Sequence, residues 1–208
     1  MFGTQHLGLF ILSGLLLNIT PGQDTLYIVG RSLSQGRRAG VLSVLGISSG
    51  SVLHTLAAAF GLSAILATSA QAFIAVKLVG AAYLAYLGVR MIVERPTATG
   101  TAPVFAIDSD WAVYRAGLLT NVLNPKVALF FLAFLPQFVA PTADSRVIAF
   151  LFLGAVFIFN GTLWCLVVVW AAAAINQRWR GRASSELFLK RAAGVMFVGL
   201  GVRLAVTK

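Results

Sequence analysis

The sequence predicts an all-α membrane protein of about six transmembrane helices, and three observations carry that prediction. The composition is 59% hydrophobic and only 11% charged, whereas soluble domains run near a quarter charged. Apolar runs of about 20 residues, long enough to cross a ~30 Å hydrocarbon core, recur along the chain. Two of these runs are interrupted at similar places, by Asn18-Ile-Thr-Pro21-Gly22-Gln23-Asp24 and by Asn121-Val-Leu-Asn124-Pro125-Lys126. At 208 residues there is room for about six spans and short loops. Residues 1–208 are therefore read as a single membrane domain without a soluble module.

The first span is expected from about His6 to Val29, broken near Pro21, where proline removes a helical hydrogen bond. The segment Met1 to His6 lacks a basic stretch, so this run is read as a span and not as a signal peptide. Arg31, Arg37 and Arg38 follow, with Gly36 and Gly40 marking a turn. The second span, about Val41 to Ala67, carries Gly46, Gly50, His54 and Ala57 along one face, a small-residue stripe that favours close helix contact in lipid. The third runs from about Phe73 to Val93, with Lys77 near its start, where the lysine either snorkels or serves the site. Residues 94–110 hold Pro96, Thr97, Gly100 and Pro103 and form the linker. The fourth span, about Trp111 to Val139, contains the Asn-Pro-Lys break. The fifth covers about Val147 to Ile175, and the sixth about Ala192 to Val206.

Basic residues alternate between loops. Eleven (Arg31, Arg37, Arg38, Arg90, Arg95, Arg115, Arg178, Arg180, Arg182, Lys190, Arg191) follow odd-numbered spans, against three (Arg146, Arg203, Lys208) on the other side. That bias places the first set in the cytoplasm and both termini outside. The net charge of +10 is thereby a topology signal, and nucleic-acid binding is excluded because no basic stripe is interleaved with aromatics. The cluster from Arg178 to Arg182 is an anchor for topology or for anionic headgroups. A single cysteine, Cys165, excludes an internal disulfide and any multi-cysteine metal site; it reads as a small buried apolar residue.

The third and sixth spans align without gaps, each reading Lys, ten residues, then Gly-Val-Arg, from Lys77 to Arg90 and from Lys190 to Arg203. Leu15-Leu-Leu-Asn18 likewise matches Leu118-Leu-Thr-Asn121. Half-repeats of about 1–95 and 108–208, each with three spans, must insert with opposite orientation. The expectation is a 3+3 inverted repeat with broken first and fourth helices and a site where the halves meet.

Asp24 is the one acid embedded in an apolar run, and such residues are more often functional than not. It is expected to hold an ammonium group, carry a proton, or form an ion pair with Lys126 that opens when substrate enters. Amide N–H groups at a broken helix attract an anion, and Lys126 adds charge for a carboxylate. Together these complement a zwitterion. Asn18, Asn121 and Asn124 offer donors and acceptors, with helix capping as their structural alternative, and Asn18 is placed to reach backbone groups freed at Pro21. His54 should point inward, as a proton carrier or as a buried, hydrogen-bonded histidine. The candidate site is thus Asn18, Pro21, Gly22, Gln23, Asp24, His54, Asn121, Asn124, Pro125 and Lys126. No phosphate loop, metal motif or catalytic constellation is present, so no cofactor and no enzymatic activity are expected.

At these motifs, together with Gly36-Arg-Arg-Ala-Gly40, Gly80-Ala-Ala-Tyr83 and Phe130-Phe131, the chain resembles the lysine exporter (LysE) superfamily, of the homoserine/threonine-efflux (RhtB) type. The resemblance implies a six-helix bacterial inner-membrane exporter of amino acids or close derivatives, coupled to protons or the membrane potential, with Pro21, Gly22, Asp24, Asn124, Pro125 and Lys126 in or near the path. The family usually has a second proline where this chain has Gln23, which implies a shorter break and a more polar pocket. Export of a small cation, and a membrane enzyme using Asp24 and His54, are the alternative readings. The small-residue stripes permit a homodimer.

Overall fold

Pro21 and Pro125 set the layout, because each forces one helix to end and the next to restart. In the computed structural model, α1 (Leu7–Ile19) stops at Thr20, and α2 (Gln23–Leu56) begins after an extended Gly22. α5 (Asp110–Val122) stops at Leu123, and α6 (Pro125–Leu129) restarts with proline in its first turn, where the missing N–H costs nothing. A π-helical turn (Phe130–Phe134) and a 3-10 turn (Leu135–Phe138) continue α6, and the whole is bent by 47° from α5. The structure describes residues 2–68, 70–93, 105–140 and 142–174, with residues 191, 195, 198, 199 and 202. Most of the expected sixth span, the Arg178–Arg182 cluster, most of the second half of the Lys–Gly-Val-Arg match and most of the linker lie outside them, as does the side chain of Lys77.

At 34 residues, α2 would be about 51 Å long if straight, well beyond a ~30 Å hydrocarbon core. Gly36 breaks it, with φ 83° and ψ −176°, a region open essentially to glycine alone. A Cβ on Gly40 would collide with the Ser32 hydroxyl, although residues eight apart in a straight helix stand about 12 Å from each other. The chain therefore folds back at Gly36, where the turn was expected. The returning arm passes through a π-helical segment (Ala57–Leu62), which nothing in the sequence pattern announced, into α3 (Ser63–Thr68). α4 (Ala70–Val93) and α7 (Arg146–Ala174) complete the described helices. The third, fourth and fifth expected spans agree with α4, α5 through Phe138, and α7 to within about three residues at each end.

Every regular element among the described residues is helical. Among these, Gln23–Ile65, which Gly36 divides, and Arg146–Ala172 are by length and composition long and apolar enough to cross a membrane, and the bent Asp110–Phe138 pair counts as a third if it forms one span.

The glycine stripe does what its spacing suggested. A Cβ on Gly46 would strike the Tyr114 carbonyl, and one on Gly50 would lie 2.7 Å from Asn121 Oδ1 and 3.0 Å from Leu118 O, so the returning arm of α2 rides directly on α5. Gly117 returns the contact, since a Cβ there would lie 2.9 Å from Ser43 O. Gly154 lets α7 close on Thr55.

The two ends of the bundle differ. At one, Gln5 N–H and Ala140 N–H donate to the carbonyls of Phe138 and Gly3, tying the N-terminus to the end of the fourth span. Below them lies an aromatic core of Phe10, Phe130, Phe131, Phe134, Phe138 and Phe157. At the other end, Arg31 is buried (4% exposed) between the rings of Phe105 and Tyr27, with its guanidinium 2.6 Å from Asp108 Oδ2 and 2.6 Å from Gln35 Oε1. Arg38 bonds Asp110 beside it. Arg31 was counted as a loop charge; it stands inside α2, held by the acid that precedes α5. Arg115 was counted with it, and stands within α5.

Candidate functional site

Between the aromatic end and the arginine end lies a cavity with about 530 Å³ of empty space, its mouth included. The wall is supplied by Leu17 and Asn18 of α1, by Gly22 and then Asp24, Thr25, Ile47, Ser48 and Ser51 from the two arms of α2, by Asn121 with Asn124 and Lys126 at the second break, and by Phe157, Ile158, Gly161, Thr162 and Cys165 of α7. The two interruptions, 97 residues apart at Asp24 and Asn121, meet here.

Asn121 is the hub. Its Nδ2 donates to Asp24 Oδ2 at 2.8 Å, its Oδ1 accepts from Ser51 Oγ at 3.2 Å, and its backbone carbonyl lies 3.2 Å from His54 Nε2. Asn124 caps α6, its Oδ1 accepting from the Lys126 amide at 3.0 Å, and its side chain also faces Asp24. Of the asparagines of the second break, Asn124 therefore holds the backbone with its side chain, while Asn121 presents its amide to Asp24. The second carboxylate oxygen of Asp24, Oδ1, is buried without a partner, and so is Nδ2 of Asn18.

Lys126 departs from expectation. No ion pair joins it to Asp24 among the described residues; its ammonium donates to Leu17 O at 2.6 Å and Thr20 O at 2.9 Å. Leu17 O is the carbonyl that would have accepted from residue 21, and Pro21 has no N–H to give. The lysine of one break thus fills the hydrogen bond missing from the other. Asn18 was expected to serve those freed groups and instead points at α7, where an ideal Cβ on Gly161 would stand 3.1 Å from its Nδ2.

The remaining expected residues divide. Gly22 lines the cavity, while Pro21 and Pro125 shape the backbone around it without forming its wall. Gln23 is exposed and outside the cavity, so it does not make the pocket more polar. His54 is half-buried, stacked on Phe131 at 5.8 Å, and reaches the site only through the Asn121 carbonyl. Sequence reasoning overlooked Ser48 and Thr162, whose hydroxyls bond at 2.7 Å across the cavity wall, and Ser51. It also read Cys165 as plain packing, whereas the thiol lines the cavity. The signal was present in Asn160-Gly-Thr162, a polar triplet in the middle of the otherwise apolar α7. Among the described residues no three His, Cys, Asp or Glu side chains gather as metal ligands.

With this geometry in view, the comparisons fall into place. The family described as LysE type translocator matches residues 15–208. The chain belongs to this family. It is 32% identical over 201 residues to an uncharacterized membrane protein of Vibrio cholerae, covering 96% of both chains. It is 29% identical over 202 residues to an uncharacterized membrane protein of Pseudomonas aeruginosa, covering 94% of this chain and 93% of that one. It is also similar, at 24% identity over 204 residues, to the leucine efflux protein of Salmonella choleraesuis, covering 98% of this chain and 96% of the other. No solved structure matches it significantly. The chain is thus a membrane protein whose two broken helices meet, among the described residues, at a cavity with both polar and apolar walls.

Proposed function

We propose that this LysE translocator exports amino acids or close derivatives across the bacterial inner membrane, drawing on the proton gradient or the membrane potential. The observation that carries the reading is the pair of unpaired buried atoms in one cavity, the acceptor Asp24 Oδ1 and the donor Asn18 Nδ2. A zwitterion supplies the complement of both. The apolar wall of Leu17, Ile47, Val127, Phe157 and Ile158 suits an aliphatic remainder, in keeping with the relative named a leucine efflux protein.

Alternating access is the transport mode we assign to the same arrangement. α1 and α5 are each 13 residues long with asparagine next to last, Asn18 and Asn121, which supports reading the two halves, about 1–95 and 108–208, as an inverted repeat. With the basic end cytoplasmic, the Arg31–Asp108 end faces the cytoplasm and the N-terminus faces outward. Asp24, the one acid at membrane depth, is the group assigned to proton coupling.

The test is efflux from cells loaded with mixed dipeptides, with every external amino acid profiled. Faster loss of one or a few amino acids is expected when the protein is present. No change, with insertion confirmed, would refute amino-acid export. Asp24→Asn is expected to remove the pH dependence of that efflux; unaltered pH dependence in inserted protein would refute the coupling role.

A further inference from the structure

We infer that the two breaks divide the handling of the substrate: Asn18 is the ligand for its carboxylate, and Lys126 is a positioning residue. The inference rests on reading the protein as an amino-acid exporter, and it reverses the assignment that charge alone would suggest.

Lys126 is the cation of the cavity, yet its ammonium is committed. Two of its three N–H groups go to Leu17 O and Thr20 O. Leu17 O is orphaned by Pro21, and both carbonyls sit at the end of a helix that the break leaves without its usual donors. Withdrawing the lysine would leave them only the few waters that this cavity can admit. Turning the lysine toward a substrate carboxylate would therefore strip α1 of its cap at the moment of binding.

Asn18 has the opposite character. Its Nδ2 is buried, lacks a partner, and belongs to a residue that lines the cavity. A buried amide donor without an acceptor is costly unless something fills it. Gly161 holds the space in front of it, since any Cβ there would press on that nitrogen at 3.1 Å. Across the same cavity Asp24 Oδ1 is the matching unpaired acceptor, its other oxygen already occupied by Asn121. Apart from the third N–H of Lys126, the groups left open are thus this donor and this acceptor, which fits a ligand carrying both a carboxylate and an ammonium group.

Binding to the purified protein is read by isothermal titration calorimetry with leucine, leucinamide and 3-methylbutylamine, which differ at the carboxylate. In the unaltered protein leucine is expected to bind more tightly than the other two. Asn18→Ala should weaken leucine about 10- to 150-fold, the worth of one hydrogen bond to a charged group, and leave the amine unchanged. Lys126→Gln keeps an N–H donor for the carbonyls but removes the charge. It should weaken all three ligands by a similar factor and preserve the preference for leucine. Loss of that preference in Lys126→Gln, with its retention in Asn18→Ala, would overturn the inference and make Lys126 the carboxylate ligand. Should no amino acid bind the unaltered protein, the exporter reading falls and the inference falls with it.

Discussion

Gly50 is where helix packing and the site are the same contact, so Gly50→Ala tests both together. A Cβ there would stand 2.7 Å from Asn121 Oδ1 and 2.8 Å from Asn121 Cβ, where ordinary contact begins at 3.4 Å. Asn121 must retreat by the difference, about 0.7 Å. It has little freedom to do so sideways, since Leu118 O stands 3.0 Å from the same Cβ and fixes the backbone of α5 against α2. A retreat of that size stretches the 2.8 Å bond from Asn121 Nδ2 to Asp24 Oδ2 to about 3.5 Å, at the limit of a hydrogen bond. Overpacking costs about 1–3 kcal/mol, and a weakened bond to a carboxylate about 1.5–3 kcal/mol more. Expressed as site occupancy, the second term is a loss of about 10- to 150-fold. The assay pairs thermal unfolding of the purified protein with efflux from intact cells. Gly61→Ala is the control, because a Cβ on Gly61 meets nothing within 4 Å. If Gly50→Ala unfolds at the same temperature as Gly61→Ala and exports at the unaltered rate, the close approach of α2 to α5 is wrong, and so is the argument built on it.

Two further outcomes concern the basic end. Gly36→Ala has open space for its methyl group but must hold φ near 83°, so it should cost about 1–3 kcal/mol from the backbone alone; an unchanged unfolding temperature would refute that. Asp108→Asn leaves the buried Arg31 guanidinium with Gln35 and the Ala106 carbonyl, and should destabilise by about 1–3 kcal/mol. A double-mutant cycle with Arg31→Met should return a coupling above about 0.5 kcal/mol, the threshold for residues that interact directly.

The breaks were legible because asparagine, proline and an acid are conspicuous inside an apolar run, and each has one physical consequence there. The fifth span was legible to within a residue for the same reason, since Arg146 and the polar stretch after residue 175 bracket it. What Lys126 does was not legible. Pro21 announces that a hydrogen bond is missing, but nothing local says that its replacement arrives from the other half of the chain. Arg31 failed in a related way: both it and Asp108 were visible, and only the fold-back at Gly36 brings them together. The π-helical turns at Ala57–Leu62 and Phe130–Phe134 had no signal, because they change the hydrogen-bond register of the backbone without altering side-chain polarity. Ser48, Ser51 and Thr162 were hidden by their size, since small polar residues serve equally as packing surface and as cavity wall.

The reciprocal hold between the breaks has a consequence for how the chain is made. Asp24 depends on Asn121, and the end of α1 depends on Lys126, so neither half is chemically finished alone. While the ribosome is still translating the linker, the first half sits in the bilayer with a carboxylate and two carbonyls uncovered. Insertion therefore begins with a debt in polar groups that only the emergence of residues 121–126 settles.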